Sequence, residues 1–320
     1  MYTTEALLSR TRSFAQLTTY RSHYFLYPWV TFVGLMIGSK GQPPLFSMFL
    51  VLLISYLASV SVYLLGDAVD IDIDKLNVPD RPLPSGSASQ KDALLIVTFS
   101  GLTSLILAFL LNFEILAITM ISLLVGYLYS LPFTRLKKRF LVKTAITASG
   151  GMLATFAGGA GMARLDMQVI SAGISYFIYM AGVTTITDLR DMEGDRIHGI
   201  KTLPVVLGPS WTVKIALLEI SFVGTFPLLF YCHTGFTVLF PMFALPVLIS
   251  SVLSLYPLIY KWGKRDLCIK VKRRLVFLFI VYQIGLMAGA APLNLLTIIS
   301  SVTFTITLML LKVLRREGAK

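Results

Sequence analysis

The sequence predicts an all-α fold: a polytopic membrane helical bundle of nine or ten transmembrane helices, assembled from two pseudo-repeated halves. Three observations predict it. The 320 residues are 56% hydrophobic and only 14% charged, with a mean hydropathy of +0.78; this is the composition of an integral membrane protein, not of a soluble domain. The apolar residues are gathered into long runs of membrane-crossing length. Two of those runs end in the same acidic pattern, Asp-x-x-Asp-x-x-x-Asp, at Asp67, Asp70 and Asp74 and again at Asp188, Asp191 and Asp195.

A helix must be about 30 Å long to cross the hydrocarbon of a bilayer. Stretches that reach or nearly reach this length lie at 24–39, 44–66, 93–112, 114–132, 142–163, 167–187, 212–232, 237–260, 275–291 and 293–313. The first is short, and a tight turn at Ala291 and Pro292 alone separates the last two. Orientation follows from the basic residues of the loops. Arg10, Arg12 and Arg21 precede the first span, while Lys75, Arg81 and Lys91 follow the second. Arg135, Lys137, Lys138, Arg139 and Lys143 follow the fourth, and Arg190, Arg196 and Lys201 the sixth. Lys261, Lys264, Arg265, Lys270, Lys272, Arg273 and Arg274 follow the eighth. All these loops fall on one side, whereas the opposite loops hold Lys40 and Arg164. The basic side, which also carries both acidic motifs, is expected to be cytoplasmic in a cell membrane. Ten spans would place Lys312, Arg315, Arg316 and Lys320 there too.

The two acidic motifs are 121 residues apart. Each closes a span, carries an extra acid five residues after its first aspartate (Asp72 and Glu193), and runs through a basic loop to a proline, Pro79 or Pro204. The expected organisation is one membrane-embedded domain over 1–320, with a first half near 20–140, a second near 141–313, and a site where they meet.

Positions i, i+3 and i+7 of a helix fall within about 60° of one another, so each triplet forms a carboxylate stripe. Asp72 and Glu193 point away from it. Carboxylates at the ends of membrane spans are costly unless they have partners. Mg²⁺ takes oxygen ligands and commonly shares them between carboxylates and substrate phosphates, so two stripes can hold two ions against one diphosphate. Zinc is disfavoured, because His23, His198 and His233 do not sit at ligand spacing and neither Cys232 nor Cys268 joins them. The same two cysteines are too few for a disulfide framework.

The net charge of +12 is explained by positive-inside anchoring against anionic lipid. It is spread over many loops without a nucleic-acid-binding motif, which argues against nucleic acid as a partner. No cleavable signal pattern is expected, since polar residues run to about position 23. Cations interleaved with the acids suit a polyanionic substrate. Arg81 lies in Asp80-Arg-Pro-Leu-Pro-Ser-Gly86, where two prolines stiffen a loop able to hold its shape over a site. Tyr129 ends the fourth span and Lys143 opens the fifth; residues so placed are ordinarily an interfacial aromatic and a snorkelling anchor, or else they serve the site.

At these residues the chain resembles the UbiA-type intramembrane prenyltransferases. Their first signature, Asn-Asp-x-x-Asp-x-x-x-Asp before an Arg-Pro-x-x-Ser-Gly loop, is matched by Gly66 through Asp74 and by Arg81 through Gly86, with Gly66 in place of asparagine. The second is matched by Asp188 to Asp195, and a Tyr-Ser before a basic loop and a lysine beyond it by Tyr129, Ser130 and Lys143. The resemblance covers roughly 20–230. It implies a helical bundle around a central cavity, in which two Mg²⁺ ions bound by Asp67, Asp70, Asp74, Asp188, Asp191 and Asp195 hold a polyprenyl diphosphate. Arg81, Tyr129 and Lys143 would bind the diphosphate, a lipophilic acceptor would be prenylated, and membrane lipid would surround the bundle. The wording of the first motif and its loop is most similar to the ether-lipid branch, which moves a geranylgeranyl group to geranylgeranylglyceryl phosphate. An aromatic acceptor of the quinone or chlorophyll type is the main enzyme alternative. Other classes are a non-catalytic cation transporter and an isoprenoid-binding or cyclising membrane protein, though acids at helix ends beside cations suit transport poorly.

Overall fold

The computed structural model describes residues 13–21, 23–77, 79–134, 136–197 and 199–291. The expected span at 293–313, the basic tail, Arg10, Arg12, Arg135 and His198 lie outside the described residues. Among the described residues there are nine long helices and no strand. They are α1 (His23–Gly38), α2 (Leu45–Val69), α3 (Gln90–Leu111), α4 (Phe113–Ser130), α5 (Val142–Ala160), α6 (Met167–Ile197), α7 (Pro209–Phe230), α8 (Leu239–Leu255) and α9 (Arg265–Ala290). Short helices at Ile71–Asn77, Leu203–Leu207 and Leu258–Lys261 join them.

Seven of these segments are long and apolar enough to cross a membrane, and the chain is a multi-pass membrane protein. The other two, α1 and α5, cross each other closely. α1 is buried at every position from Trp29 to Gly38, as expected of a helix apolar on all sides. α5 is rich in Gly, Ala and Thr, so its neighbours approach its backbone closely. A Cβ at Gly34 would collide with the Thr155 backbone, and one at Gly158 with the Thr31 carbonyl. Only paired glycines allow this crossing of α1 and α5.

In the first half α2 packs on α3 and α4; in the second α6 packs on α7 and α9, and α8 lies between α7 and α9. α1 and α5 join the halves, α1 touching α2, α5, α6 and α9. The second half is filled by rings: Tyr176, Tyr179, Phe279 and Tyr282 are all buried and lie 4.4–6.4 Å apart, centroid to centroid. At the end away from the acids, Lys40 pairs with Asp166 at 3.3 Å and also donates to Gln168, which in turn donates to the Gly235 carbonyl.

Three expectations are corrected in detail. The sixth span ends at 187 by apolar count, but α6 continues to Ile197 and carries the whole second motif. The ninth begins at 275 by the same count, yet α9 starts at Arg265, so Lys270, Lys272, Arg273 and Arg274 are helical and not in a loop. Lysine and arginine are good helix formers, and apolar count marks only the part of a helix that sits in lipid. Finally, the first stripe is not on one helix. α2 stops at Val69, Asp70 adopts φ −99° and ψ 17°, and a new helix begins at Ile71. The Asp-Ile-Asp-Ile-Asp run alternates two kinds of residue that favour other conformations, side-chain-bonding aspartate and β-branched isoleucine.

Candidate active site

The first acidic end is held by cations brought from three separate segments. Asp67, in the last turn of α2, is only 3% exposed. It accepts hydrogen bonds from the Tyr20 hydroxyl and the Arg21 guanidinium, with Arg81 Nη1 at 3.4 Å. The same Arg81 nitrogen donates to Asp74 Oδ2 at 2.7 Å. Lys137, in the turn Leu136–Lys138 after α4, donates to Asp70. Asp72 stands apart: its side chain is 94% exposed and pairs with Lys75 at 3.0 Å. Burial, with the neighbouring Arg81 cation, lowers the pKa of Arg21. A cation desolvated in this way gains from any anion placed beside it.

The loop that delivers Arg81 is closed on itself. Ser85 N and Ala88 N donate to the carbonyls of Arg81 and Pro82 at 3.0 and 3.1 Å, both Ser85 and Ser87 hydroxyls donate to Pro82 O at 3.2 Å, and Gly86 takes φ +77°. Gln90 then donates to Ala68 O at 2.8 Å, fastening the loop to α2. Such a loop holds its arginine in place over the carboxylates.

The second acidic end is one unbroken helix. Lys143, from the first turn of α5, donates to Asp188 Oδ1 at 2.8 Å and Asp195 Oδ2 at 3.4 Å. Asp188 is 2% exposed, and its Oδ2 is buried with no hydrogen-bond partner among the described residues. Arg190 Nε donates to Asp191 Oδ1 at 2.7 Å, and its Nη2 to the other oxygen of that carboxylate. Lys272 reaches the field of Asp188 and Asp191 from α9. The two ends meet through their loops, where Lys201 N donates to Lys138 O at 3.3 Å.

Between α1, α2, α4 and α5 lies a cavity of about 420 Å³. Asp67, Asp70, Asp74, Arg21, Arg81 and Lys137 line its polar mouth. Tyr129 lines it as well. Among the described residues, Lys143 and the second triplet are not part of its wall. Gly66 is on the wall, where a Cβ would come 3.2 Å from Ser130 Oγ. The space an asparagine would need at this position is thus partly taken by the Ser130 hydroxyl.

All the acids and cations singled out in the sequence therefore gather at one end of the bundle. Tyr20, Arg21, Lys137 and Lys272 belong with them but were not singled out, the three cations because they read as ordinary positive-inside charges. No sequence signal separates them, since their partners are fixed by tertiary packing over separations such as 67 residues for Lys137 and Asp70. Among the described residues no three His, Cys, Asp or Glu side chains gather around a point that could hold a metal ion, because each acid is drawn to a cation. The donor chemistry nonetheless suits Mg²⁺: every candidate is a carboxylate oxygen, and Asp188 Oδ2 is a buried acceptor still to be satisfied.

Known proteins share the sequence and the fold of this chain. The digeranylgeranylglyceryl phosphate synthase of Sulfolobus acidocaldarius is 31% identical over 230 residues, which are 70% of this chain and 81% of the relative. The synthase of the same name from Sulfurisphaera tokodaii is 29% identical over 215 residues, 65% of this chain and 74% of the relative. Two solved structures share the fold. One, of a digeranylgeranylglyceryl phosphate synthase, has a TM-score of 0.75 at 21% identity and covers 89% of this chain and 99% of that one. A UbiA homologue from Archaeoglobus fulgidus bound to DMAPP and Mg²⁺ has a TM-score of 0.62 at 18% identity, with 81% and 97% covered. The model of the UbiA prenyltransferase family matches residues 27–282, and the chain belongs to that family.

Proposed function

We propose that the chain transfers a geranylgeranyl group from geranylgeranyl diphosphate to geranylgeranylglyceryl phosphate, a step of ether-lipid synthesis, and releases diphosphate. The observation that carries this reading is the pair of matched aspartate triplets, each faced by cations, gathered at one end of the bundle where the first triplet lines the mouth of a mostly apolar cavity. The names of the relatives support the choice of acceptor. Asp67, Asp70, Asp74, Asp188, Asp191 and Asp195 would hold two Mg²⁺ ions, one per triplet. Bound there, Mg²⁺ neutralises diphosphate oxygens and makes them a better leaving group.

The chain's own residues do the rest. Arg81 and Lys143, already set against the carboxylates, add charge where the leaving diphosphate develops it. Arg21 and Lys137 face the same mouth. As the allylic carbon–oxygen bond breaks, the Tyr129 ring on the cavity wall contacts the diphosphate or stabilises the positive carbon. The acceptor hydroxyl then bonds to that carbon, and its proton leaves with the diphosphate. The apolar wall excludes water that would otherwise capture the cation. The whole chain works as one domain of two related halves, and its basic loops put both motifs on the cytoplasmic side.

The test is diphosphate release by the purified protein in detergent, with geranylgeranyl diphosphate and Mg²⁺, against geranylgeranylglyceryl phosphate and 4-hydroxybenzoate. Release that depends on the glyceryl phosphate supports the proposal, and release that depends on the benzoate moves the chain to the aromatic branch. Release without acceptor points to cyclisation or hydrolysis, and its absence with every donor refutes transfer.

A further inference from the structure

We propose that the apolar end of the cavity measures the donor chain, with Val51, Ile115 and Ala157 as its stop. The inference rests on the transferase reading above and names the substrate length that the site accepts. On α2 the lining residues run from Asp67 to Val51, about 24 Å along the axis. On α4 they run from Tyr129 to Ile115, about 21 Å. An extended chain advances about 1.2 Å per bond, so the sixteen main-chain carbons of four isoprene units reach about 19 Å. With its diphosphate at Asp67 and Arg81, a four-unit chain ends at these three residues, and a fifth unit would run into them.

The lining changes character along that length. Charged groups give way to hydroxyls at Ser59, Thr119 and Ser122, and then to the aliphatic floor. The floor is firm. Val51 and Ile115 are 1% and 0% exposed and belong to one packed cluster with Leu35, Ala108 and Ala160. Asn112 caps α4 by accepting from Ile115 N at 2.8 Å and donates to Ala160 O at 2.9 Å. One side chain thereby ties the helix start that carries Ile115 to the helix end that carries Ala157. Ala157 is half-buried, packs against that cluster and lines the cavity, so a larger residue there takes up space at the floor.

The experiment compares kcat/KM for diphosphate release from geranyl, farnesyl, geranylgeranyl and geranylfarnesyl diphosphates at a fixed acceptor concentration. The unmodified chain is expected to prefer geranylgeranyl. Ala157→Phe should move the preference to farnesyl, raising the farnesyl-to-geranylgeranyl ratio about tenfold or more. Ile115→Ala should raise the geranylfarnesyl-to-geranylgeranyl ratio by a similar factor. Ala157→Val gives a smaller shift in the same direction and serves where phenylalanine does not fold, as checked by gel filtration in detergent. Variants that release diphosphate with the length preference of the unmodified chain overturn the ruler alone. An unmodified chain that releases nothing from any donor overturns the transferase reading and the ruler with it.

Discussion

The two acidic ends carry the same three aspartates at the same spacing and are built differently. At the first, the helix breaks at Asp70, and Tyr20, Arg21, Arg81 and Lys137 arrive from distant segments. At the second, α6 runs unbroken through Asp188, Asp191 and Asp195, and Lys143 bridges two of the three. The first end lines the cavity; among the described residues, the second triplet is not part of its wall. A repeated motif therefore does not imply a repeated environment. The carboxylate spacing is common to both halves, while rigidity and access divide between them.

The sharpest way to break this comparison is to remove the middle acid of each triplet. Asp70→Ala and Asp191→Ala should each lower Mg²⁺-dependent diphosphate release by about 10³-fold, the upper range for loss of one preorganised charge-stabilising group. A strong loss at Asp70 with near-normal turnover of Asp191→Ala would mean that only the cavity-lining triplet serves the reaction.

The lysines should separate the ends by stability. Lys143→Ala strands Asp188 and Asp195, which are 2% and 10% exposed, and should cost about 3 kcal/mol. Lys137→Ala strands only Asp70, at 24% exposure, and should cost about 1 kcal/mol or less. Chemical unfolding in detergent measures both, and equal costs would remove the distinction between a rigid and an adaptable end.

Titration with Mg²⁺ should raise the unfolding midpoint, equivalent to about 2.7 kcal/mol at a hundred times the dissociation constant. A chelator should reverse the rise, and Asp67→Ala combined with Asp188→Ala should abolish it. A rise that survives in the double variant would place the ion elsewhere. The smallest effect belongs to Asp72→Ala: with its carboxylate 94% exposed, release should change by less than about threefold. A loss there as large as at Asp70 would refute the placing of Asp72 outside the site.

Much of this was readable in the chain. Nine of the ten apolar runs became helices among the described residues, including α1, only 16 residues long. The helix ends were less legible, because α6 and α9 extend past their apolar parts on charged residues that apolar count ignores. The acids were found by spacing, which is a local property. Arg21 and Lys137 were passed over because pairing across the fold leaves no local trace. The break at Asp70 could have been suspected from Asp-Ile-Asp-Ile-Asp, whose residues are weak helix formers.

The aromatic filling also has a consequence for engineering. Tyr176, Tyr179, Phe279 and Tyr282 fill the space between α6 and α9, while α1, α2, α4 and α5 surround open volume. Libraries that diversify the helices around the cavity explore substrate choice, whereas the same diversity among the packed rings explores robustness.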